Sequence, residues 1–197
     1  MDSKKKSNSK PTTLNTRYSG LVLAHYGKKA WIQPDHISEP LRCHLRFNLA
    51  TIVAGDRILF EQVETQKGVV VEHLARKNTL TKSNHKNEAK IIAANIDHMW
   101  IVIAPKPAFS FVEIDRYLIA AHRAPMPAGI IVNKIDLLSQ TEQQVIIDQL
   151  RIYERMGHTI LLTSNHDQHT LTAFQSTLTH KTTLLVGQSG VGKSSLI

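Results

Sequence analysis

The run Gly187-Gln188-Ser189-Gly190-Val191-Gly192-Lys193-Ser194-Ser195 joins three glycines, a lysine and two hydroxyls at a spacing suited to holding phosphate. Glycines at 187, 190 and 192 let the backbone fold tightly, with its amides turned toward anionic oxygens at a helix N-terminus. Lys193 would neutralise the β- and γ-phosphates of a nucleotide, and the Ser194 hydroxyl would ligate magnesium. Lys193 and Ser194 are therefore the candidate catalytic pair, and Ser194 the candidate metal ligand. A glycine-rich turn with an incidental lysine is the plainer alternative. Against it stand the apolar run Thr183–Val186 just before and the helix expected to open at Ser194.

Fifty residues upstream, Asn133-Lys134-Ile135-Asp136 follows another apolar run. The Asp136 carboxylate could face the N1–H and N2–H₂ donors of guanine, a pair that adenine lacks. Leaving that carboxylate unpaired would cost roughly 3 kcal/mol, about two orders of magnitude in affinity. Asn133 would brace the base pocket and the Lys134 stem could cover the base plane. As four letters alone the run is an ordinary strand-to-helix turn; the phosphate loop on the same predicted sheet gives it meaning. Thr163-Ser164-Asn165 is a third candidate element, equally readable as a polar loop.

Other reactive side chains lack company. His36, His44, His166 and His169 have no Cys or carboxylate partners at zinc-site spacing, so surface or packing roles are expected, and His98 reads as boundary packing. Cys43 is the sole cysteine, which excludes an internal disulfide; a buried, inert thiol is its expected state. Trp31 and Phe47, amid Lys28, Lys29, Arg42 and Arg46, could stack nucleic-acid bases or fill a barrel core.

The elements that must position these groups fall into two sets. Ser19–His25, Lys29–Gln33, Leu41–Arg46, Arg57–Val63 and Gly68–His73 read as short strands punctuated by Gly27, Pro34, Pro40, Gly55 and Gly68. Such strands suit a small closed barrel of OB-fold type over residues 15–75. Residues 76–90 are polar and basic and read as a linker. Beyond, the apolar runs Met99–Ala104, Gly129–Val132, Thr159–Thr163 and Thr183–Val186 alternate with helical patterns at Val112–Arg123, Glu142–Met156 and His169–Leu178. That alternation implies a parallel α/β sheet over 91–197, with ligands at the carboxyl ends of its strands.

Charge divides the same way. Residues 1–90 hold 16 basic and 8 acidic side chains, residues 91–197 hold 8 of each, so the net charge of +8 belongs to the first half. A basic half points to a polyanionic partner, most simply nucleic acid, and residues 1–14 read as a disordered basic tail. No run of about 18 apolar residues occurs, so no membrane span is expected, and a cytoplasmic monomer is the expected form.

With a basic barrel, the runs Ala94-Asn95-Ile96-Asp97 and Ile114-Asp115-Arg116-Tyr117-Leu118, and a phosphate loop that follows the guanine loop instead of leading it, the chain resembles the ribosome small-subunit-dependent GTPase family (RsgA, also called YjeQ). The resemblance implies an OB-fold followed by a circularly permuted GTPase domain that binds GTP or GDP with magnesium through Asn133–Asp136 and Gly187–Ser195. It also implies hydrolysis of GTP to GDP and phosphate, the small ribosomal subunit and its rRNA as partners, and a zinc-binding C-terminal domain. No Asp in this chain has Gly three residues on. The Asp-x-x-Gly switch, switch I and the zinc domain are therefore expected beyond Ile197, and hydrolysis by this chain alone is expected to be negligible. The alternative is an RNA-binding module whose nucleotide half is not catalytically competent.

Overall fold

A computed structural model describes residues 16–46, 49, 51–83 and 88–197; the tail 1–14 and Phe47 lie outside them. The chain divides into two compact units, Met1–Ile52 with Arg57–Leu74, and Val53–Asp56 with Ala75–Ile197.

The first unit is a five-stranded barrel. Its strands are β1 (Arg17–Tyr26), β2 (Lys29–Pro34), β3 (Leu41–Leu45), β4 (Arg57–Glu64) and β5 (Lys67–His73). They run β1-β2-β3-β5-β4, and β4 pairs back onto β1, so the sheet closes. Period-two alternation decides which side chains enter. Ala30 and Ile32 of β2 are buried while Lys29 and Trp31 face out; Leu41 and Cys43 of β3 are buried while Arg42 and His44 face out. Ile32, Leu41, Ile52, Ile58, Phe60 and Val70 fill the interior. Trp31, 45% exposed and opposite Arg42 across the β2–β3 ladder, is therefore no part of that core. His36 packs by stacking on Tyr18, ring centroids 4.3 Å apart.

In the second unit, residues 79–83 depart from the linker expectation. They form β6 (Thr79–Ser83), antiparallel to β7 (Ala89–Ala94). The backbone around it is fixed by side chains: Asn78 Nδ2 donates to the Ile96 carbonyl at 2.8 Å, its Oδ1 accepts from the Ile96 amide at 2.9 Å, and Arg76 pairs with the buried Asp56. Polar composition concealed a strand whose threonines are β-formers.

Behind the hairpin lies a four-stranded sheet, ordered β10-β9-β8-β11, with every neighbouring pair parallel. The strands are β8 (His98–Ile103), β9 (Ala128–Val132), β10 (Ile160–Leu162) and β11 (Thr183–Val186), interleaved with α1 (Phe111–Arg123), α2 (Gln140–Arg155) and α3 (Gln168–Leu178). Alternate residues of β8 serve two cores, which explains its unbroken apolar run. Met99, Ile101 and Ile103 pack with α1 and α2, whereas Trp100 and Val102 pack with Phe174 of α3 and with Val191 and Leu196. α2 begins two residues before the expected Glu142. There the Ser139 hydroxyl accepts from the Glu142 amide while the Glu142 carboxylate accepts from the Ser139 amide, a capping box.

Because all four strands are parallel, their carboxyl ends share one edge of the sheet. The loops leaving β8, β9, β10 and β11 meet there.

Candidate functional site

The loop leaving β11 turns sharply at its glycines. Gly187 has φ 137°, and a Cβ on it would lie 2.1 Å from the Val102 carbonyl oxygen. Gly192 has φ 92°, and a Cβ there would lie 2.4 Å from Asn133 Nδ2. Side chains are thus excluded where the loop passes its neighbours most closely. Val191 is buried and anchors the loop in the α3-side core, while Ser189, Ser194 and Ser195 are exposed. Lys193 Nζ donates to the carbonyls of Gly187 at 2.8 Å and Gln188 at 2.6 Å. Lys193–Ser195 form a single 3₁₀ turn at the point where a helix was expected to open. Lys134, Gly190, Lys193 and Ser194 line one side of an open cleft of about 670 Å³.

The loop leaving β9 is locked to the loop leaving β11 by side chains. Asn133 is fully buried: its Nδ2 donates to the Val191 carbonyl at 2.9 Å and its Oδ1 accepts from Thr163 Oγ1 at 3.1 Å. Lys134, in the left-handed region at φ 60°, sends Nζ to the Gly190 carbonyl at 2.5 Å and toward the Lys106 carbonyl at 3.3 Å. Buried Ile135 then turns the chain so that Asp136 is exposed. The Ser164 hydroxyl donates to Asp136 Oδ1 at 2.5 Å, and this bond chiefly holds the carboxyl below its ordinary range, with smaller help from a backbone amide, His166 and Lys134. Asp136 is ionised at neutral pH.

The three loops singled out from sequence therefore come together: Asn133–Asp136, Gly187–Ser195 and, of Thr163-Ser164-Asn165, the first two residues, while Asn165 is exposed. Sequence reasoning missed a fourth loop at this edge, the one between β8 and α1. Its Lys106 carbonyl receives Lys134, Pro107 Cδ lies 3.7 Å from the Cβ position of Gly190, and Glu113 beyond it accepts from Gln188 Nε2 at 2.7 Å. That β8 ends at the same sheet edge was the available signal.

A family model described as RsgA GTPase matches residues 73–197. The chain belongs to the RsgA GTPase family. Among its relatives are the small ribosomal subunit biogenesis GTPases RsgA of Actinobacillus pleuropneumoniae serotype 5b, 40% identical over 90% of this chain and 53% of the relative, and of Hahella chejuensis, 35% identical over 93% and 54%. The chain spans about half the length of the curated relatives it matches. Its structure is similar to that of YjeQ from Thermotoga maritima, with a TM-score of 0.78 and 28% identity over 92% of this chain and 64% of that one. It shares the fold of YloQ, described as a circularly permuted GTPase, with a TM-score of 0.74 and 24% identity over 95% and 65%. The barrel followed by a permuted α/β domain is thus the RsgA-family arrangement.

The donor set fits a magnesium nucleotide. An ammonium and an exposed serine hydroxyl share one cleft on a loop closed to side chains at Gly187 and Gly192, and a hydroxyl oxygen is the hard ligand that magnesium prefers. Among the described residues no group of three or more His, Cys, Asp or Glu side chains could hold a metal, and no helix is long and apolar enough to cross a membrane.

Proposed function

We propose that this chain is the barrel and nucleotide-binding portion of a GTPase that converts GTP to GDP and phosphate during maturation of the small ribosomal subunit. One observation carries the reading: the guanine loop and the phosphate loop are bonded directly to each other, through Asn133 to Val191 at 2.9 Å and Lys134 to Gly190 at 2.5 Å. A purine nucleotide can then span both, base on Asp136 and phosphates on Gly187–Ser195.

In this reading Asp136 accepts from guanine, the Lys134 stem covers the base plane, and Asn133 braces the pocket from below. Gln188, Ser189, Gly190, Val191, Gly192 and Ser195 offer backbone or hydroxyl donors to phosphate oxygens. Lys193 supplies positive charge there, and the Ser194 hydroxyl would hold magnesium. Held there, magnesium would supply positive charge against the negative charge of the phosphates. The barrel contributes an outward row of Lys29, Trp31, Arg42 and His44, which suits rRNA phosphates and bases. A cytoplasmic monomer, with zinc held in a further C-terminal domain, completes the reading for the whole protein. The interlocked loops favour it over an RNA-binding module with an incompetent nucleotide half.

The test is titration of the 197-residue chain with mant-GDP, competed by GTP, GDP and ATP. GTP and GDP should displace the probe at least a hundredfold more effectively than ATP. Equal displacement by ATP, or no binding of the probe, refutes the reading.

A further inference from the structure

The carboxylate of Glu113 is not used by any role above, yet it lies against the phosphate loop. It sits in the first turn of α1, half-buried, and accepts from Gln188 Nε2 at 2.7 Å across 75 residues of chain. Gln188 in turn uses its backbone: its carbonyl receives Lys193 Nζ at 2.6 Å, beside that of Gly187 at 2.8 Å. An ammonium has three donors. Two are committed to these carbonyls, and in the nucleotide reading the third donates to a phosphate oxygen. The direction of that third donor is set by where the Gln188 carbonyl stands.

We infer that Glu113 is a positioning residue for the phosphate loop: by fixing the Gln188 side chain it fixes the carbonyl that orients Lys193. The inference rests on the nucleotide reading proposed above. The packing supports a rigid tie. Glu113 and Gln188 border a void of only about 10 Å³, walled by Phe109, Ile114, Tyr117 and Val191. That is at most the room of a single water, so the seam has little freedom to rearrange around a broken bond. A loop held in its binding geometry before the ligand arrives loses less conformational freedom on binding. Glu113 also lies where a carboxylate favours a helix N-terminus, a purely structural role that the following variants separate from positioning.

In the full 197-residue chain, Glu113→Ala and Gln188→Ala should each weaken mant-GDP binding about five- to tenfold, mainly through faster release, as expected for loss of one hydrogen bond in a half-buried site. The double variant should be no weaker than either single one. Glu113→Gln should restore affinity to within about twofold, because the amide oxygen still accepts from Gln188. The thermal midpoint is recorded for each variant. Wild-type affinity in both alanine variants overturns the inference, as does failure of Glu113→Gln to rescue. So does a lowered midpoint with unchanged affinity, the signature of a helix-stabilising carboxylate. Should Glu113→Ala not fold, Gln188→Ala carries the same comparison from the other side of the bond. Absence of mant-GDP binding by the wild-type chain would instead overturn the nucleotide reading itself.

Discussion

Gly192 and Asn133 should be energetically coupled, and the size of the coupling follows from their contact. A Cβ on Gly192 would meet Asn133 Nδ2 at 2.4 Å, while the next atoms, Asn133 Cγ and Lys134 Cε, stand at an ordinary 3.7 Å. Gly192→Ala therefore has two costs. The left-handed backbone at φ 92° costs an L-residue about 1–2 kcal/mol. Clearing the clash forces the amide off the Val191 carbonyl, which costs about 1–3 kcal/mol more. Asn133→Ala alone orphans the Val191 carbonyl and the buried Thr163 hydroxyl, roughly 2–4 kcal/mol in total. In the double variant the amide is already gone, so Gly192→Ala retains only its backbone cost. The double loss should fall short of the sum of the single losses by at least about 1 kcal/mol. Urea unfolding measures this if it follows the second unit alone. The chain has two tryptophans, Trp31 in the barrel and the buried Trp100 in the sheet, so a Trp31→Phe background leaves Trp100 as the reporter. Additivity within about 0.5 kcal/mol would mean that the amide and the glycine do not touch.

Three further outcomes are expected. Asp136→Asn should weaken GTP binding by about two orders of magnitude and relax discrimination against XTP, and unchanged calorimetric affinity would remove Asp136 from the base pocket. His98, half-buried against Trp100 with ring centroids 4.6 Å apart, has its pKa pushed below 6.5, first by burial and then by Lys181. The unfolded chain then protonates first, so stability is full above pH 6.5 and declines as pH falls from there toward the lower folded pKa. His98→Phe should flatten the fall in the Trp100 urea midpoint between pH 7 and pH 5, and an unchanged slope would acquit His98. Burial pushes the Cys43 thiol up to about 11, so at pH 8 it should react with a thiol reagent only when the barrel opens. Labelling at the rate of a free thiol in the native chain would contradict its place in the core.

How much of this was legible in sequence depended on where each residue's partners lie. β8 and β9 are apolar on both faces, so their runs announced a parallel sheet, and the sheet in turn fixed where the motifs had to gather. β6 hid because four of its own five residues are polar and its Lys82 stands directly opposite Lys90, an arrangement that composition reads as linker. The start of α2 was written in Ser139-x-x-Glu142, upstream of the apolar periodicity that drew attention to Glu142. Glu113 had no local signal at all, since its partner Gln188 is distant in sequence and its own place in the helix pattern is ordinary. Ser164 was visible only as part of a polar loop, and its bond to Asp136 needed the two strand ends side by side.

The reversed motif order follows from the same geometry. β8 separates β9 from β11 in the sheet, yet Asn133 reaches Val191 across 58 residues of sequence because parallel strands deliver every carboxyl end to one edge. Which loop comes first in the chain has no bearing on that edge. The fully buried Asn133 side chain bonds the β10 end through Thr163 and the β11 loop through Val191 at once. The loops after β9 and β11 are thus distant in sequence and bonded in space, which is why a weak four-residue motif acquires meaning from one far along the chain.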